Sequence, residues 1–454
     1  MYSQLSGIKI STEPEDLICY SFDASGVKVG EYAEPEPFAV LWPKTTEEVI
    51  RIMRYAHENN LTIVPRGAGT GMTGGSIPLR GCLVISLERM NSIIDFDKEN
   101  MTALVEPGII NGRFQKEIEK EGLFYPPDPA SMNFCTLGGN VAENAGGPRA
   151  LKYGVTRDYV MGLEAVLPDG SLINTGVKTH KGVVGYDLTR LLVGSEGTLA
   201  VITKIRLRLL PLPEDVITLL ALFNDLQLAG RAVSSIISSR IIPRTLEFMD
   251  REAIKAAEKF HPLGLPDDTE ALLLIEIDGP VSTIRKEAEK VVDLLHKLGS
   301  DVKVAEDEDA RDKLWEARRS LSPALYHISP HKINQDIVVP RNRIPDMIDG
   351  LGKISEKTGL KIVNFGHAGD GNIHVNIMVD KGNEEEYRKG QAALKDIFEL
   401  TLSLGGTISG EHGIGITKIP YIKMEIKEKE LSLMRGIKGV FDPKGILNPG
   451  KAII

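Results

Sequence analysis

Apolar residues recur every three to four positions from 45 to 59, so that Val49, Ile52, Met53 and Ala56 share one face of a predicted helix. Thr45 followed by Glu48 marks its start as a capping box. Leu61–Val64 then reads as a strand, and short apolar runs at 82–87, 92–96 and 101–106 read as three more. A polar helix is expected over 111–121, and a hairpin over 159–176 with Asp169-Gly170 at its turn. Near the PLPE stretch at 211–214 the texture changes. Beyond it strand-like and helix-like runs alternate: VITLLALF, a helix to Ile237, RTLEFM, a helix, ALLLIEID, and a long helix to Leu298. The pattern predicts an α+β fold in two domains, 1–214 and 215–410, the second an open antiparallel sheet with helices, followed by a segment 411–454.

Three clusters of glycine interrupt the first half. The run from Pro65 to Pro78 carries glycines at 67, 69, 71, 74 and 75, a density that exposes successive N–H groups as an anion-binding concavity. Gly69, Gly71 and Gly74 satisfy the spacing of the dinucleotide fingerprint, but that fingerprint needs a helix to follow, and here a second strand follows. A nicotinamide site is therefore excluded. Gly138-Gly139 precedes a short helical segment, so free N–H groups there could face a phosphate. The third cluster is Gly194–Thr198. Together they suggest a first domain that holds a large phosphorylated cofactor and a second that covers it.

Composition narrows the class. With 454 residues the chain exceeds one core, and its 42% apolar and 26% charged content is that of a soluble globular protein. A net charge of -9 without a basic block argues against nucleic acid. Cys19, Cys82 and Cys135 lie far apart, which argues against disulfides, a cysteine zinc site or an iron–sulfur cluster in this chain. There is no signal core and no apolar run of membrane-spanning length, so a cytoplasmic location is expected, with membrane attachment through another subunit.

Chemistry concentrates in the second half. In NFGHAGDGNIHVNIMV, 364–379, Asp370-Gly371 is the dipeptide of a two-residue hairpin turn. A turn centred there sets His367 directly opposite His374, with Cβ atoms ~5 Å apart, and puts Phe365 and Asn376 on the same face. Two imidazoles so held suit one metal ion. Glu411, in GGTISGEHGIG, supplies a third candidate ligand, and two histidines with one glutamate form the open three-ligand set of a catalytic zinc site. His412 beside it is left free as a base. Arg318 and Ser322 are four apart on a predicted helix face, and arginine is the natural clamp for a carboxylate.

With these motifs the chain resembles the GlcD-type FAD-linked dehydrogenases of 2-hydroxy acids, in the vanillyl-alcohol oxidase superfamily. The resemblance runs from about Pro37 to Lys451 through PRGAGTGMTGG, PPDPAS, TLGGNVAENAGG, YGVTRDYV, GSEGT, WEAR, GHAGDGNIHVN, SGEHGIG and DPKGILNPGK. It implies a two-domain flavoprotein with an FAD-binding domain and a cap, the tail returning to the FAD domain through Asn448. It implies cofactor contacts from Arg66, Gly67, Ala68, Gly69, Thr70 and Gly71, from Pro129, Ser131 and Thr136, and from Gly138, Gly139, Asn140 and Asn144. Tyr153, Gly154, Asp158, Glu196, Gly197 and Ile202 match further positions near the cofactor. Thr70 stands where some relatives carry the histidine that links the flavin covalently, so noncovalent FAD is expected. Ala200 departs from the glycine usual in the family.

The resemblance implies oxidation of a D-2-hydroxy acid, D-lactate first, to the 2-oxo acid with hydride transfer to flavin N5. Glycolate and D-2-hydroxyglutarate are alternatives. On this reading His367, His374 and Glu411 hold a divalent metal, zinc by its donor set. His412 takes the hydroxyl proton, Arg318 with Lys332 holds the carboxylate, and Asn376 orients the substrate or a metal-bound water. Electrons leave to an external acceptor (an electron-transfer flavoprotein, an iron–sulfur subunit or a quinone), and the chain acts as a homodimer or a subunit of a complex. Two rivals are a non-redox transferase like alkylglycerone-phosphate synthase and a non-catalytic electron-carrying subunit.

Overall fold

The computed structural model describes residues 3–27, 39–79 and 81–453; Pro37, where the resemblance begins, lies outside them. The chain forms two compact units. One comprises Met1–Gly146, Gly154–Leu212 and Glu411–Ile454, the other Gly147–Tyr153 and Pro213–Gly410. Residues 147–153 thus belong with the second unit, although their position in the sequence assigns them to the first. The reason is the buried carboxylate of Asp278, which accepts from Tyr153 Oη at 2.7 Å and from Lys152 Nζ. A buried charge needs such partners.

The first unit holds a short antiparallel pair, Leu123–Phe124 with Leu210–Pro211, and two main sheets. One runs Lys9–Ser11, Ala39–Trp42, Leu83–Ser86, Ile63–Arg66, with the last three parallel. Ala39–Trp42 and Leu83–Ser86 are buried throughout, which is why they read as unbroken apolar runs. The helix Thr46–Asn59 packs Val49, Ile52, Met53 and Ala56 against Ile63, Leu83 and Ile85. Thr45 caps it by accepting from Glu48 N at 3.3 Å, while the Glu48 carboxylate accepts from Lys44 N, one residue earlier than a regular capping box places it. The other sheet is antiparallel and runs Ile93–Asp97, Thr102–Val105, Val201–Arg208, Val160–Val166, Leu172–Gly176. The tail closes the unit: Ile63 donates to Ile446 O at 2.8 Å and Asn448 N to Ile63 O at 2.7 Å.

The second unit is built on one antiparallel sheet of seven strands, in the order Asp301–Val304, Asp215–Phe223, Ala271–Gly279, Thr245–Asp250, Ile362–His367, Asn372–Val379, His331–Val338. Leu220, Leu272, Leu274, Met249 and Phe365 on one face pack against Ala253, Ile254 and Ala257 of the helix Arg251–Phe260. Among the described residues no helix is long and apolar enough to cross a membrane.

Candidate cofactor cavity and histidine pair

The first unit encloses a cavity of about 1330 Å³, counting its open mouth. Of the residues expected at a cofactor, Arg66 to Gly71, Pro129, Ser131, Thr136, Gly138, Gly139, Asn140, Glu196, Gly197 and Ile202 line it, as does Ala200. The glycines there serve close approach. A Cβ on Gly67 would fall 2.3 Å from Thr136 Oγ1, and one on Gly69, whose φ is +70°, would fall 2.2 Å from Arg66 Nη2. Arg66 folds its guanidinium beneath the loop, donating to Phe22 O at 2.8 Å, and burial draws its pKa down.

The N–H groups of the second cluster are not open to a phosphate as the sequence suggested. Gly138 N donates to Pro107 O at 2.7 Å and Gly139 N to Thr136 Oγ1 at 3.2 Å. The pair lies inside the helix Leu137–Glu143, where the missing side chain of Gly138 lets Pro107 pack against it. Asn140 supplies the polar signal instead: its Nδ2 is buried without a partner among the described residues, and the residue lines the cavity. Buried donors of this kind are normally met by protein, water or a ligand.

Five further expected residues, Asn144, Tyr153, Gly154, Asp158 and Asn448, do not line the cavity. Asn144, at φ 53°, ends the helix Leu137–Glu143 in the left-handed conformation, and its Oδ1 accepts from Arg157 N. Asp158 accepts from Val155 N at 2.9 Å, closing the turn at Gly154. Asn448 donates to Gly75 O at 3.0 Å and Glu196 O at 2.7 Å, tying the first glycine cluster to the third. Tyr153 belongs to the second unit. Glu196 itself is pinned by Ile414 N at 2.8 Å and Gly415 N at 2.7 Å; burial raises its pKa against those two hydrogen bonds.

Glu411 and His412 both line this cavity, with Oε1 and Nε2 3.8 Å apart. Adjacent side chains on an extended chain would diverge. Here the loop is folded, with Gly413 at φ +78° and His412 O accepting from Thr73 Oγ1 at 3.1 Å.

In the second unit His367 and His374 meet, but by a different register from the expected one. Phe365, not His367, stands opposite His374, so the two histidines are diagonal neighbours on one face. The turn is wider than two residues, because His367 O accepts from both Asp370 N and Gly371 N. Both histidines are buried, and their Nε2 atoms lie 3.4 Å apart. His367 Nδ1 donates to Glu247 Oε1 at 2.6 Å, and Arg318 Nη2 lies 2.5 Å from Glu247 Oε2. Burial works against ionising Glu247, yet the His367 and Arg318 charges hold its carboxyl below the ordinary range. An ionised carboxylate only accepts, so Nδ1 carries a proton; in the neutral imidazole Nε2 is then the nitrogen with the lone pair.

Arg318 lies in the last turn of the helix Glu308–Arg319 and is buried, with its Nε lacking a partner among the described residues. The helix stops there, and Ser322 sits in the separate turn Leu321–Ala324, where its carbonyl and hydroxyl accept from Lys332 Nζ at 2.9 and 2.6 Å. Burial pulls the Lys332 pKa down to about 8. Asn376 makes its amide contacts within the sheet, Oδ1 accepting from Asn334 Nδ2 at 2.8 Å and Nδ2 donating to Val363 O and His374 O at 3.2 Å each. Sequence reasoning missed Glu247, although an acid inside the apolar run TLEFMD was a signal.

The family described as FAD linked oxidases, C-terminal domain, matches residues 212–452, and the FAD binding domain matches residues 37–176. The chain belongs to the FAD-linked oxidase family. The glycolate oxidase subunit GlcD of Bacillus subtilis is 46% identical over 436 residues, covering 96% of this chain and 92% of that protein. D-lactate dehydrogenase of Anaerostipes hadrus is 37% identical over 432 residues, 92% of this chain and 90% of the other. This family member is thus an FAD-linked oxidoreductase of the GlcD and D-lactate dehydrogenase type. Among solved structures, p-cresol methylhydroxylase superposes with a TM-score of 0.82 at 19% identity, covering 98% of this chain and 93% of that one. Alkyldihydroxyacetonephosphate synthase superposes at 0.76 and 23%, covering 97% and 83%. Both show the fold, which is of vanillyl-alcohol oxidase type.

Proposed function

We propose that this FAD-linked oxidoreductase oxidises a D-2-hydroxy acid, D-lactate first, to the 2-oxo acid and passes the electrons to an external acceptor. The observation that carries the reading is the pair of buried imidazoles whose Nε2 atoms converge to 3.4 Å while Glu247 holds the far nitrogen of His367. A carboxylate behind the ligating histidine is the usual outer partner of a metal-bound imidazole.

The residues fit both implied groups. The glycine-lined cavity and the Asn140 amide in its wall fit FAD, with Thr70 at the covalent position leaving it noncovalent. His367 and His374 would hold a divalent metal with Glu411 as third ligand. Gly410, the residue before Glu411, donates to Asp336 Oδ2 at 2.9 Å, and Asp336 stands opposite His374 in the sheet, which supports that set. When bound, the flavin supplies a two-electron acceptor for the C2 hydride and the metal supplies Lewis acidity at the substrate oxygen.

His412 accepts the hydroxyl proton, so C2 loses a hydride, oxygen loses a proton, and C–O becomes C=O. Arg318, with a buried Nε still to be matched, and Lys332 hold the substrate carboxylate as cations. Relatives named as glycolate oxidase subunits support an acceptor on another chain: an electron-transfer flavoprotein, an iron–sulfur subunit or a quinone.

The test is anaerobic flavin absorbance with both enantiomers of lactate and 2-hydroxyglutarate, and with glycolate. D-lactate is expected to bleach the flavin and L-lactate to leave it yellow. Bleaching by none of the 2-hydroxy acids would remove this reading.

A further inference from the structure

The segment from Val177 to Asp187, between the edge strand Leu172–Gly176 and the helix Leu188–Leu192, belongs neither to the cavity nor to a core. Val183, Val184 and Tyr186 are 97%, 101% and 96% exposed. Single apolar residues on a surface are ordinary; three large ones standing clear within four positions are not. The segment is nonetheless built. A Cβ on Gly182 would fall 2.8 Å from Val177 Cγ2, Thr179 Oγ1 donates to Lys181 O at 2.8 Å, and Leu188 N donates to Tyr186 O at 2.9 Å. Its charge is one-sided. The chain carries 63 acidic residues in 454, yet none falls between Ser171 and Tyr186, where Lys178, His180 and Lys181 sit. Asp187 is engaged as a helix cap, accepting from Arg190 N at 3.0 Å.

We propose that loop 177–187 is a membrane-contact loop that sets Val183, Val184 and Tyr186 into the interface of an anionic phospholipid surface. The two valines enter the acyl boundary and the tyrosine sits at headgroup level, where aromatic rings with a polar tip reside. Lys178 and Lys181 meet the anionic headgroups. A protein partner fits less well: side chains exposed this fully form a protruding tip that needs a matching socket, and valine is rare among the residues that anchor protein interfaces. A bilayer accepts a tip without shape matching. Such contact needs no membrane-spanning helix.

The test uses the purified flavin-loaded protein with vesicles of phosphatidylcholine alone, or of phosphatidylcholine with phosphatidylglycerol. It is expected to co-sediment with the anionic vesicles, less so as salt rises. Val183→Asp with Val184→Asp should weaken that binding by at least about tenfold. Lys178→Glu with Lys181→Glu should remove both the binding and its salt dependence. Both variants should keep FAD content and turnover with a soluble dye, which shows that the fold is intact. A Tyr186→Trp variant should gain an emission blue shift on the anionic vesicles that the parent lacks. The proposal fails if the parent sediments with neither vesicle or if the variants bind as it does. It also fails if they lose only turnover with a protein acceptor.

Discussion

Glu247 and His367 stand directly opposite each other on adjacent antiparallel strands, with Oε1 and Nδ1 2.6 Å apart. The carboxylate therefore sets which nitrogen of His367 is left to bind. Glu247→Gln should lower metal affinity by roughly 10–100-fold while FAD content stays at the parent level. Chelator competition read against flavin absorbance checks this, and unchanged metal affinity would show the pair to be structural only.

His412 is expected to separate from the ligands. His367→Ala and Glu411→Ala should lose metal and activity together. His412→Ala should retain metal and FAD yet slow flavin reduction by roughly 10²–10⁴-fold. Metal stoichiometry and single-turnover absorbance decide it; metal loss from His412→Ala equal to that from His367→Ala would make it a ligand.

Lys332 gives a pH signature. Burial depresses its pKa to about 8, below the unfolded value. The buried cation thus costs stability in full below that pH, and the cost fades as pH rises from there toward the ordinary lysine range. If the cation holds the substrate carboxylate, KM should rise as pH passes through about 8, and Lys332→Met should flatten that rise. A parent KM level across this range would separate Lys332 from the substrate.

Gly69 and Gly71 should differ in the flavin-free protein. Alanine at 69 must adopt φ +70° and displace the Arg66 guanidinium, whereas a Cβ at 71 meets nothing within 4 Å. Gly69→Ala should cost at least about 1–2 kcal/mol from backbone strain alone, and Gly71→Ala should leave apo stability near the parent. Denaturant midpoints of equal size would contradict the arrangement of Arg66.

One thiol of three should react in the native protein. Cys19 is exposed, while Cys82 and Cys135 are buried, and burial pushes the Cys82 pKa up to about 11 and raises that of Cys135. Titration with a thiol reagent should give one equivalent folded and three unfolded.

Local signals were legible where a pattern and its partner lie close in the chain. The amphipathic helix at Val49–Ala56, the Asp169-Gly170 hairpin and the strand–loop–strand around Gly67–Gly75 are of this kind. The histidine hairpin shows the limit. Asp370-Gly371 marks a turn, but its width depends on a distant segment: Gly371 O accepts from Val339 N at 3.1 Å, and Gly369 N donates to Leu246 O. The pairing of Glu247 with His367 was illegible for a related reason. Only the order of strands in the sheet brings residue 247 beside 367. The bond from Arg66 to Phe22 O was illegible too, because nothing in the sequence says that residue 22 lies beside the loop.

Asn448 also constrains when the glycine loops can be tied together. It fastens Gly75 to Glu196, and Leu447 pairs with Ile63, so the first glycine cluster is secured by a residue that leaves the ribosome 373 positions after Gly75. The whole of Pro213–Gly410 is made in the interval. Through that time the first glycine cluster waits without its fastening, and the second unit, an uninterrupted stretch but for seven residues already made, can fold ahead of it. Joining the first glycine cluster to the third is then one of the last events in the life of the nascent chain, and a ribosome stalled short of residue 448 holds two loops not yet tied together.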